Sequence, residues 1–395
     1  HYSLLQQWQH LKFLGLNDFQ FKDQRVLLRL DLNAPIEAGE VSNDERLIRS
    51  LPTIKHILNN EGRLVVVSHL GRPEENGMHQ PEFSLYPVVK KLEQLLGRSI
   101  ELISDLEDLP SVNQGEMIVL ENIRFLKGEK SNEPNLSKKL ANIADIFVMD
   151  AFATSHRAHS STTGVIEYSN KACAGFLLEE EIEALSKITN NKGNSLAVLG
   201  GAKISTKLDL INSLCEKMGN VILGGGIANT CLLAQGFPVG NSLVEESMLK
   251  EALELAEREN VIVPKTVVTA KNAQQEGSIK PIEDIEEEDS IFDVAPQSFK
   301  EHQYLFDAAS TILWNGPMGL FEKNSFAEGT NAVAKMIVSS NGFSVAGGGD
   351  TISAASKAGV LDKLDYVSTA GGAFLEFIEG RKLPSLEALQ LKLKN

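Results

Sequence analysis

The sequence predicts an α/β protein built from two doubly wound domains, each a parallel sheet covered by helices on both faces. Short apolar runs rich in β-branched residues alternate with segments of helical period along the chain, as in consecutive β-α-β units. A length of 395 residues favours two or three domains at about 150 residues each. A fibrous or disordered class is excluded, because 42% of the residues are hydrophobic and 23% are charged.

Strands and helices alternate in the first predicted domain, which covers residues 14–185. Helices are expected at about 44–59 and 84–96, the second ending before Gly97 because glycine often terminates helices. The predicted strands are 26–32, 64–69, 100–103, 117–120 and 146–151.

The second predicted domain covers residues 186–379 and repeats this plan. A helix at 177–188 has acids early and Lys187 late, which suits the helix dipole, and is predicted to connect the domains before a loop at 189–194. The chain is expected to end in a helix over 385–394. The predicted strands are 196–199, 221–223, 261–268, 311–314, 343–346 and 366–368.

The charge and the cysteines exclude several classes of function. A formal net charge of -15 argues against bulk binding of nucleic acid or an anionic membrane. Three cysteines without CxxC spacing make a disulfide framework or a zinc site improbable and favour a reducing cytoplasm. Apolar runs fall short of the roughly 18 to 20 residues that a membrane helix needs. The first dozen residues, starting at His1, receive no functional assignment.

Basic side chains follow the predicted strands of the first domain, where nine of the eleven arginines and seven of the eight histidines precede residue 190. Ligands of doubly wound sheets bind beyond the carboxyl ends of the strands. Each basic residue taken alone is better explained by a surface ion pair or a turn, and Asp31 with Asn33 could be a turn cap. Together they predict a basic crevice for a small hydroxylated anion. The residues at these strand ends are Asp31, Asn33, His69, Arg72, Arg124, His156 and Arg157.

Glycine clusters follow the strands of the second domain, at 200–201, 224–226, 347–349 and 371–372. Each precedes a predicted helix start, where free backbone N–H groups receive phosphate oxygens. A single cluster would be a tight turn, but four on one sheet edge predict a polyphosphate site. No GxxxxGK[ST] loop or complete GxGxxG is present.

Two lysines and one aspartate complete the predicted phosphate site. Lys203 and Lys207, four residues apart at the start of a helix expected to open near Ser205, would face the same phosphate chain. Solvated helix lysines are the alternative. Asp350 is the best candidate for Mg²⁺, which on a nucleotide takes one or two carboxylates; capping of the following helix is the alternative.

The ordered motifs resemble those of phosphoglycerate kinases from about residue 14 to the end of the chain. The long segments at 68–73 and 314–322 are specific to that family. The motifs are DLNAP at 31–35, SHLGRP at 68–73, LENIRF at 120–125, HR at 156–157, GGAK at 200–203, WNGPMGLFE at 314–322 and GGGDT at 347–351.

The resemblance implies reversible phosphoryl transfer between 1,3-bisphosphoglycerate with ADP and 3-phosphoglycerate with MgATP, in glycolysis and gluconeogenesis. It implies two Rossmann-like lobes that close around a hinge: an N-terminal lobe for 3-phosphoglycerate, with the segment from about 380 to 395 returning to it, and a C-terminal lobe for the nucleotide. In-line transfer would follow closure. Monomeric state, a cytoplasmic location and no nucleic-acid or membrane partner are also expected.

The same resemblance assigns roles to individual residues. Those implied to hold 3-phosphoglycerate are Asp31, Leu32, Asn33, Arg46, His69, Leu70, Gly71, Arg72, Arg124 and Arg157. Those implied to serve the nucleotide are Gly201, Lys203, Lys207, Asn315, Glu322, Gly347, Gly348, Gly349, Asp350 and Thr351, with Asp350 on Mg²⁺. Arg46, Lys207, Gly371 and Gly372 are implied to meet the charge of the transferred phosphoryl group.

Three positions depart from the usual family pattern: Ala153, Ala370 and Lys265. Two other classes compete with this interpretation. A non-catalytic descendant would be expected to have lost Arg46, Lys207 or Asp350, and all three are present. A dehydrogenase would need GxGxxG after its first strand, where the sequence is RLDLN.

Overall fold

A computed structural model describes residues 11–190 and 193–394 of the chain. These residues form two compact units. The second unit is the continuous segment Ala184–Arg381, and the first unit takes the chain up to Glu183 together with the segment that starts at Lys382. The predicted domain limits, 185 and 379, lie two residues from these divisions. The assignment of one substrate to each domain stays a prediction.

A parallel sheet forms the centre of the first unit, in the order β5-β6-β4-β1-β7-β8 among the described residues. Leu28, Val66 and Val148 on adjacent strands are fully buried, as both-sided coverage of a parallel sheet requires. A small antiparallel hairpin, β2-β3, forms a separate two-stranded sheet. The strands are β1 Arg25–Leu30, β2 Ile36–Glu37, β3 Glu40–Val41, β4 Arg63–Val67, β5 Glu101–Ile103, β6 Met117–Leu120, β7 Ile146–Asp150 and β8 Ala172–Ala174.

Helices cover this sheet because each presents an apolar stripe to it. In the first helix the stripe includes Leu47, Ile54 and Ile57, all fully buried in the core. The helix before Gly97 ends there with the glycine in the left-handed conformation, as expected. The helices are α1 Glu45–Asn59, α2 Tyr86–Leu96, α3 Pro134–Asn142, α4 Val165–Tyr168 and α5 Phe176–Thr189, the last of which crosses between the units.

The second unit contains a parallel sheet in the order β11-β10-β9-β15-β16-β17 and an antiparallel sheet in the order β13-β12-β14, counted over the described residues. Trp314 is fully buried in the core beside the parallel sheet. The strands are β9 Ser195–Leu199, β10 Asn220–Leu223, β11 Val261–Ile262, β12 Thr266–Ala270, β13 Ser278–Pro281, β14 Ser290–Val294, β15 Thr311–Asn315, β16 Phe343–Gly347 and β17 Tyr366–Ser368.

Several helices of the second unit begin close to the ends of strands. The last helix of the chain belongs to the first unit. The helices are α6 Leu208–Lys217, α7 Gly225–Ala234, α8 Leu249–Ala256, α9 Pro296–Lys300, α10 Gln303–Ala308, α11 Glu328–Ser339, α12 Gly349–Lys357, α13 Gly372–Glu379 and α14 Pro384–Lys394. The final helix, α14, packs against α4 and β8. Lys392 Nζ donates hydrogen bonds to the carbonyls of Glu167 and Ser169, at 3.1 and 2.6 Å.

Two sequence predictions were wrong in detail. The single strand predicted over 261–268 is two strands in different sheets, β11 and β12. Pro264 lies between them, and because it lacks an N–H and restricts the residue before it, the ladder cannot continue. The helix expected to open near Ser205 begins at Leu208, so Lys203 and Lys207 do not share a helix turn.

Asp150, the last residue of β7, receives the start of α5. Its fully buried side chain accepts a 2.9 Å hydrogen bond at Oδ1 from the N–H of Leu178. Burial raises the pKa of Asp150 to about 6. The loop predicted at 189–194 includes residues 191 and 192, which lie outside the described residues. In the part of the chain that the structure describes, no helix has the length and apolar character of a membrane span.

Candidate functional site

Two polar side chains, Asp31 and Asn33, stabilise the turn that follows β1. Asp31 Oδ2 accepts an ion-paired hydrogen bond from Nη1 of Arg46, which comes from the first turn of α1. The Asn33 N–H donates to Asp31 Oδ1 at 3.2 Å, and Asn33 Oδ1 accepts from the N–H of Gly71 at 2.8 Å. The turn-cap alternative therefore holds for Asp31 and Asn33, and the same contacts also join the ends of β1 and β4.

Three arginines near this turn differ in exposure. Arg124 is buried, and its Nη1 donates to the carbonyl of Gly71 at 2.7 Å. Burial lowers the pKa of Arg124, and the positive charges of Arg157 and Arg72 act in the same direction. Arg72 and Arg157 are exposed, with Arg157 Nε donating to His156 Nε2 at 3.3 Å. The first unit therefore gathers positive charge at the carboxyl ends of its strands, as predicted.

His69 is 4% exposed and lies among cations. Nη2 of Arg29 is 3.2 Å from its Nδ1. Burial lowers its pKa well below the usual value, and the charges of Arg29, Arg124 and Arg46 lower it further. The ring of His69 is therefore neutral at physiological pH.

Sequence reasoning missed the buried groups beneath these side chains. Arg29 is fully buried within β1, and its Nε donates to Ser161 Oγ at 3.0 Å. The Ser161 hydroxyl in turn donates to Oε1 of the fully buried Glu129. His159 is also buried, which lowers its pKa to about 4. A signal for Arg29 was present in the sequence, since it is the charged residue in the otherwise apolar run 26–30.

In the second unit, the loop after β9 approaches the loop after β15 very closely. A Cβ on Gly200 would lie 1.8 Å from the carbonyl oxygen of Pro317, so only glycine fits there. The Gly200 N–H donates to the carbonyl of Asn315 at 2.9 Å. These contacts hold two of the predicted phosphate-binding segments side by side.

Lys207 immediately precedes α6 and points back to these loops. Its Nζ donates to the carbonyl of Gly200 at 2.7 Å and to Asn315 Oδ1 at 2.8 Å. Burial lowers the pKa of Lys207 to about 8, and the negative charge of Asp350 opposes this shift. Lys207 is thus a partly buried cation held by two neutral oxygens, which suits it to a phosphate oxygen.

Asn315 also joins the next loop. Its Nδ2 donates to the carbonyl of Gly347 at 2.8 Å, and the N–H of Gly316 donates to Thr351 Oγ1 at 2.8 Å. α12 begins at Gly349, and its capping residue Gly348 lies against Asn315, since a Cβ on Gly348 would be 3.0 Å from Asn315 Nδ2. The loops at 200–201, 315–316 and 347–351 therefore form one connected group.

Three other residues predicted to bind the nucleotide are exposed to solvent. Lys203, Glu322 and Asp350 are exposed. Asp350 is in the first turn of α12, whose capping residue is Gly348, so the alternative of Asp350 as the cap is wrong. Lys203 lies in the turn before α6 and not within the helix, which begins at Leu208.

The last predicted glycine pair begins α13, which starts at Gly372. Gly371 has a φ of 52°, a conformation that glycine adopts without strain. The neighbouring Ala370 is not among the described residues with positive φ. The departure at Ala370 is therefore compatible with this turn.

Arginines at the strand ends of one unit, and glycine loops with a partly buried lysine in the other, define a two-domain α/β enzyme acting on small phosphorylated molecules. The comparisons narrow this class. The family model described as phosphoglycerate kinase matches residues 16–381. The phosphoglycerate kinase of Francisella tularensis subsp. novicida is 46% identical over 97% of this chain and 99% of that protein.

Solved structures agree with these matches. The structure of phosphoglycerate kinase from Coxiella burnetii has a TM-score of 0.93 and 44% identity, covering 96% of this chain and 99% of that one. The enzyme from Pyrococcus horikoshii has a TM-score of 0.80 and 31% identity over the same shares. The chain belongs to the phosphoglycerate kinase family. It is a kinase that transfers a phosphoryl group to a carboxyl acceptor in glycolysis, and the predicted α/β fold with parallel sheets is confirmed.

Proposed function

We propose that the basic cluster of the first unit binds 3-phosphoglycerate and that the connected loops of the second unit bind ATP or ADP. The observation that carries the proposal is the segregation of chemistry between the units. Forked, planar guanidinium groups suit a carboxylate and a phosphate monoester, and backbone N–H groups at helix starts suit a phosphate chain. The residues assigned to 3-phosphoglycerate are Asp31, Leu32, Asn33, Arg46, His69, Leu70, Gly71, Arg72, Arg124 and Arg157.

Within the first unit, each side chain has a distinct task. Arg72, Arg124 and Arg157 neutralise the anionic groups of 3-phosphoglycerate, and Asp31 accepts from its hydroxyl. Arg46 is ion-paired with Asp31. That pairing supports a role in which Arg46 is held ready for the phosphoryl group that reaches the carboxyl end of the substrate.

Within the second unit, Lys207 is proposed to bind the transferred phosphoryl group. Its two partners, the Gly200 carbonyl and Asn315 Oδ1, are neutral. A phosphate oxygen would replace weak attraction to dipoles by attraction between opposite charges. The remaining residues proposed for the nucleotide are Gly201, Lys203, Asn315, Glu322, Gly347, Gly348, Gly349, Asp350 and Thr351, with Gly371 and Gly372 at the phosphoryl group.

Asp350 is the proposed ligand of Mg²⁺. Its exposed carboxylate at the start of α12 leaves room for phosphate oxygens and waters, which Mg²⁺ retains in its shell. Bound Mg²⁺ would neutralise charge on the phosphate chain. Since the attacking oxygen is already anionic, the protein needs to align the substrates and neutralise charge rather than supply a base. Domain closure, implied by the family resemblance, would bring the two substrates together and exclude water.

We further propose a cytoplasmic monomer. The three cysteines, Cys173, Cys215 and Cys231, are buried free thiols, which supports a reducing compartment. Sedimentation of the purified chain measures the oligomeric state, and a dimer at assay concentration would contradict the proposal.

Calorimetry with each ligand separately tests the assignment. Asp31→Ala should weaken 3-phosphoglycerate binding about 10-fold or more and leave ADP binding unchanged, because one charge-assisted hydrogen bond is lost. Asn315→Ala should weaken ADP binding and leave 3-phosphoglycerate binding unchanged.

Asp350→Ala tests the Mg²⁺ site and should raise the Mg²⁺ concentration needed for half-maximal ADP affinity. Loss of both ligands in either of the first two variants, or unchanged Mg²⁺ dependence in the third, would contradict the corresponding role.

A further inference from the structure

A buried chain of hydrogen bonds ends on the ring of His69. Glu129 Oε1 accepts from the Ser161 hydroxyl, Ser161 Oγ accepts from Arg29 Nε at 3.0 Å, and Arg29 Nη2 lies 3.2 Å from His69 Nδ1. A third guanidinium nitrogen, Nη1 of Arg29, donates to the carbonyl of Leu30. The guanidinium is therefore fixed on three sides, inside the protein and behind the proposed 3-phosphoglycerate site.

Arginine offers N–H donors and no acceptor, so the contact with His69 is possible in one sense only. Arg29 donates, and Nδ1 of His69 accepts with its lone pair. A neutral imidazole that accepts at Nδ1 carries its proton on Nε2. Within the part of the chain that the structure describes, Nδ1 is the ring nitrogen with a recorded hydrogen-bond partner, which leaves the Nε2–H for a ligand.

We propose that Arg29 is a positioning residue that holds His69 as the neutral Nε2–H tautomer, so that His69 presents a hydrogen-bond donor to 3-phosphoglycerate. Carboxylate and phosphate oxygens only accept hydrogen bonds, and the opposite tautomer would present a lone pair to them. This inference rests on the proposed contact between His69 and 3-phosphoglycerate.

The charges around His69 agree with a neutral ring. Arg29 faces it from β1, Arg124 from the end of β6 and Arg46 from α1, and each positive charge lowers the pKa of His69. The neighbouring His159, with a pKa of about 4, is itself neutral at neutral pH. The buried carboxylate of Glu129 is the counter-charge of Arg29. Burial lowers the pKa of Arg29 to about 10, which leaves it charged and donating at neutral pH. Arg29 is thus stabilised by Glu129 while His69 is kept unprotonated.

Nitrogen NMR of the side chain tests the tautomer directly in the full-length protein, with the His69 signals assigned from their loss in His69→Gln. The wild type should show a protonated Nε2 and an unprotonated Nδ1. In Arg29→Lys the two forms should become mixed, because a single ammonium loses the contacts with Ser161 and Leu30 that fix the guanidinium. A protonated Nδ1 in the wild type, or an unchanged tautomer in Arg29→Lys, would overturn the proposal.

Kinetics then separate positioning from a general structural effect. Arg29→Lys should raise the KM for 3-phosphoglycerate about 10-fold, since a hydrogen bond to a charged group is lost, and leave the KM for ATP within about 2-fold. In the His69→Gln background the amide N–H₂ donates whatever Arg29 does, so the same Arg29 substitution should raise that KM by less than about 2-fold. Equal effects of Arg29→Lys in both backgrounds would overturn the proposal.

A second pair of variants covers the case that Arg29→Lys does not fold. Ser161→Ala removes one guanidinium contact and should raise the KM for 3-phosphoglycerate about 3-fold with partial tautomer mixing. Ser160→Ala is the matched control, because this equally buried neighbour bonds to the carbonyls of Gly128 and Glu133 instead. Equal changes in both serine variants would overturn the proposal.

One further variant distinguishes this inference from the function on which it rests. If His69→Ala leaves the KM for 3-phosphoglycerate unchanged, the proposed contact between His69 and the substrate fails. If that KM rises while the wild-type spectrum shows a protonated Nδ1, the contact stands and the role of Arg29 fails.

Discussion

The two units differ in the groups that they offer to the proposed phosphate ligands. The first uses side chains, and its cations rest on a buried network in which Arg29 and Glu129 are fully buried. The second uses main-chain N–H groups at helix starts, held by loop contacts as close as that between Gly200 and Pro317. Ligand binding by the first unit should therefore depend on the charge of a few side chains. Ligand binding by the second unit should depend on the path of the backbone.

Lys207 is the exception in the second unit, and its removal should have the largest effect. Lys207→Ala should lower kcat about 10²- to 10³-fold, as for the loss of one preorganised donor to transition-state charge. The KM for 3-phosphoglycerate should change far less. Steady-state kinetics check this, with the exposed Lys203→Ala as control, which should mainly raise the nucleotide KM. A wild-type kcat in Lys207→Ala would remove Lys207 from the reaction.

In the glycine loops of the second unit, the effect of replacing glycine by alanine should depend on the space around the added methyl group. Gly200→Ala should destabilise the protein by about 2 to 4 kcal/mol, because the new Cβ would lie 1.8 Å from the Pro317 carbonyl oxygen, a backbone atom. Gly349→Ala is the matched control, since a Cβ there has nothing within 4 Å. Thermal unfolding of both variants measures the difference. Similar melting temperatures would show that the loops separate easily.

Two arginines of the first unit should separate binding from stability. Arg72→Ala should raise the KM for 3-phosphoglycerate about 10-fold, from the loss of a charge-assisted hydrogen bond, and leave the melting temperature unchanged because Arg72 is exposed. Arg124→Ala should affect both, since buried Arg124 also holds the Gly71 carbonyl. Kinetics and thermal unfolding on the same samples check this. A lower melting temperature in Arg72→Ala would contradict it.

The fourth prediction concerns the pH profile, which should change little near neutral pH because Lys207 has a pKa of about 8. Lys207 is charged below its pKa of about 8, so kcat/KM for ATP should fall about 10-fold per pH unit as pH rises above that value. This ratio reports the free enzyme, in which no phosphate raises the pKa. Lys207→Arg, which stays charged, should lack this descending limb. The same limb in both proteins would assign it to another group.

Much of the fold could be predicted because long buried strands and amphipathic helices have a clear period. Short strands such as β8 and the β2-β3 hairpin lack enough residues to show one. Pro264 was visible in the sequence, but the apolar run around it reads as continuous. The antiparallel strand β14 was missed because its polar residues interrupt the pattern, although Asp293 within it is buried.

The site was predictable by motif rather than by geometry. Strand ends and glycine clusters indicated two anion sites, and the resemblance supplied individual roles, which stay predictions until tested. The shared helix face of Lys203 and Lys207 was wrong, because the turn after Gly201 delays α6 to Leu208. Arg29 was missed because the prediction rested on residues that follow the strands, although the position of Arg29 in the apolar run 26–30 indicated burial.

The return of α14 to the first unit affects the order of folding during synthesis. Near the start of α14, Ser385 Oγ lies 3.2 Å from Thr163 Oγ1. Near its end, Lys392 Nζ donates to the carbonyl of Glu167. The first unit therefore lacks α14 until the segment after Arg381 has been synthesised, whereas the continuous segment Ala184–Arg381 is complete before that segment. Domains usually mature in the order in which they are made. In this protein the first unit begins to be synthesised before the second, but it completes its set of helices after the second.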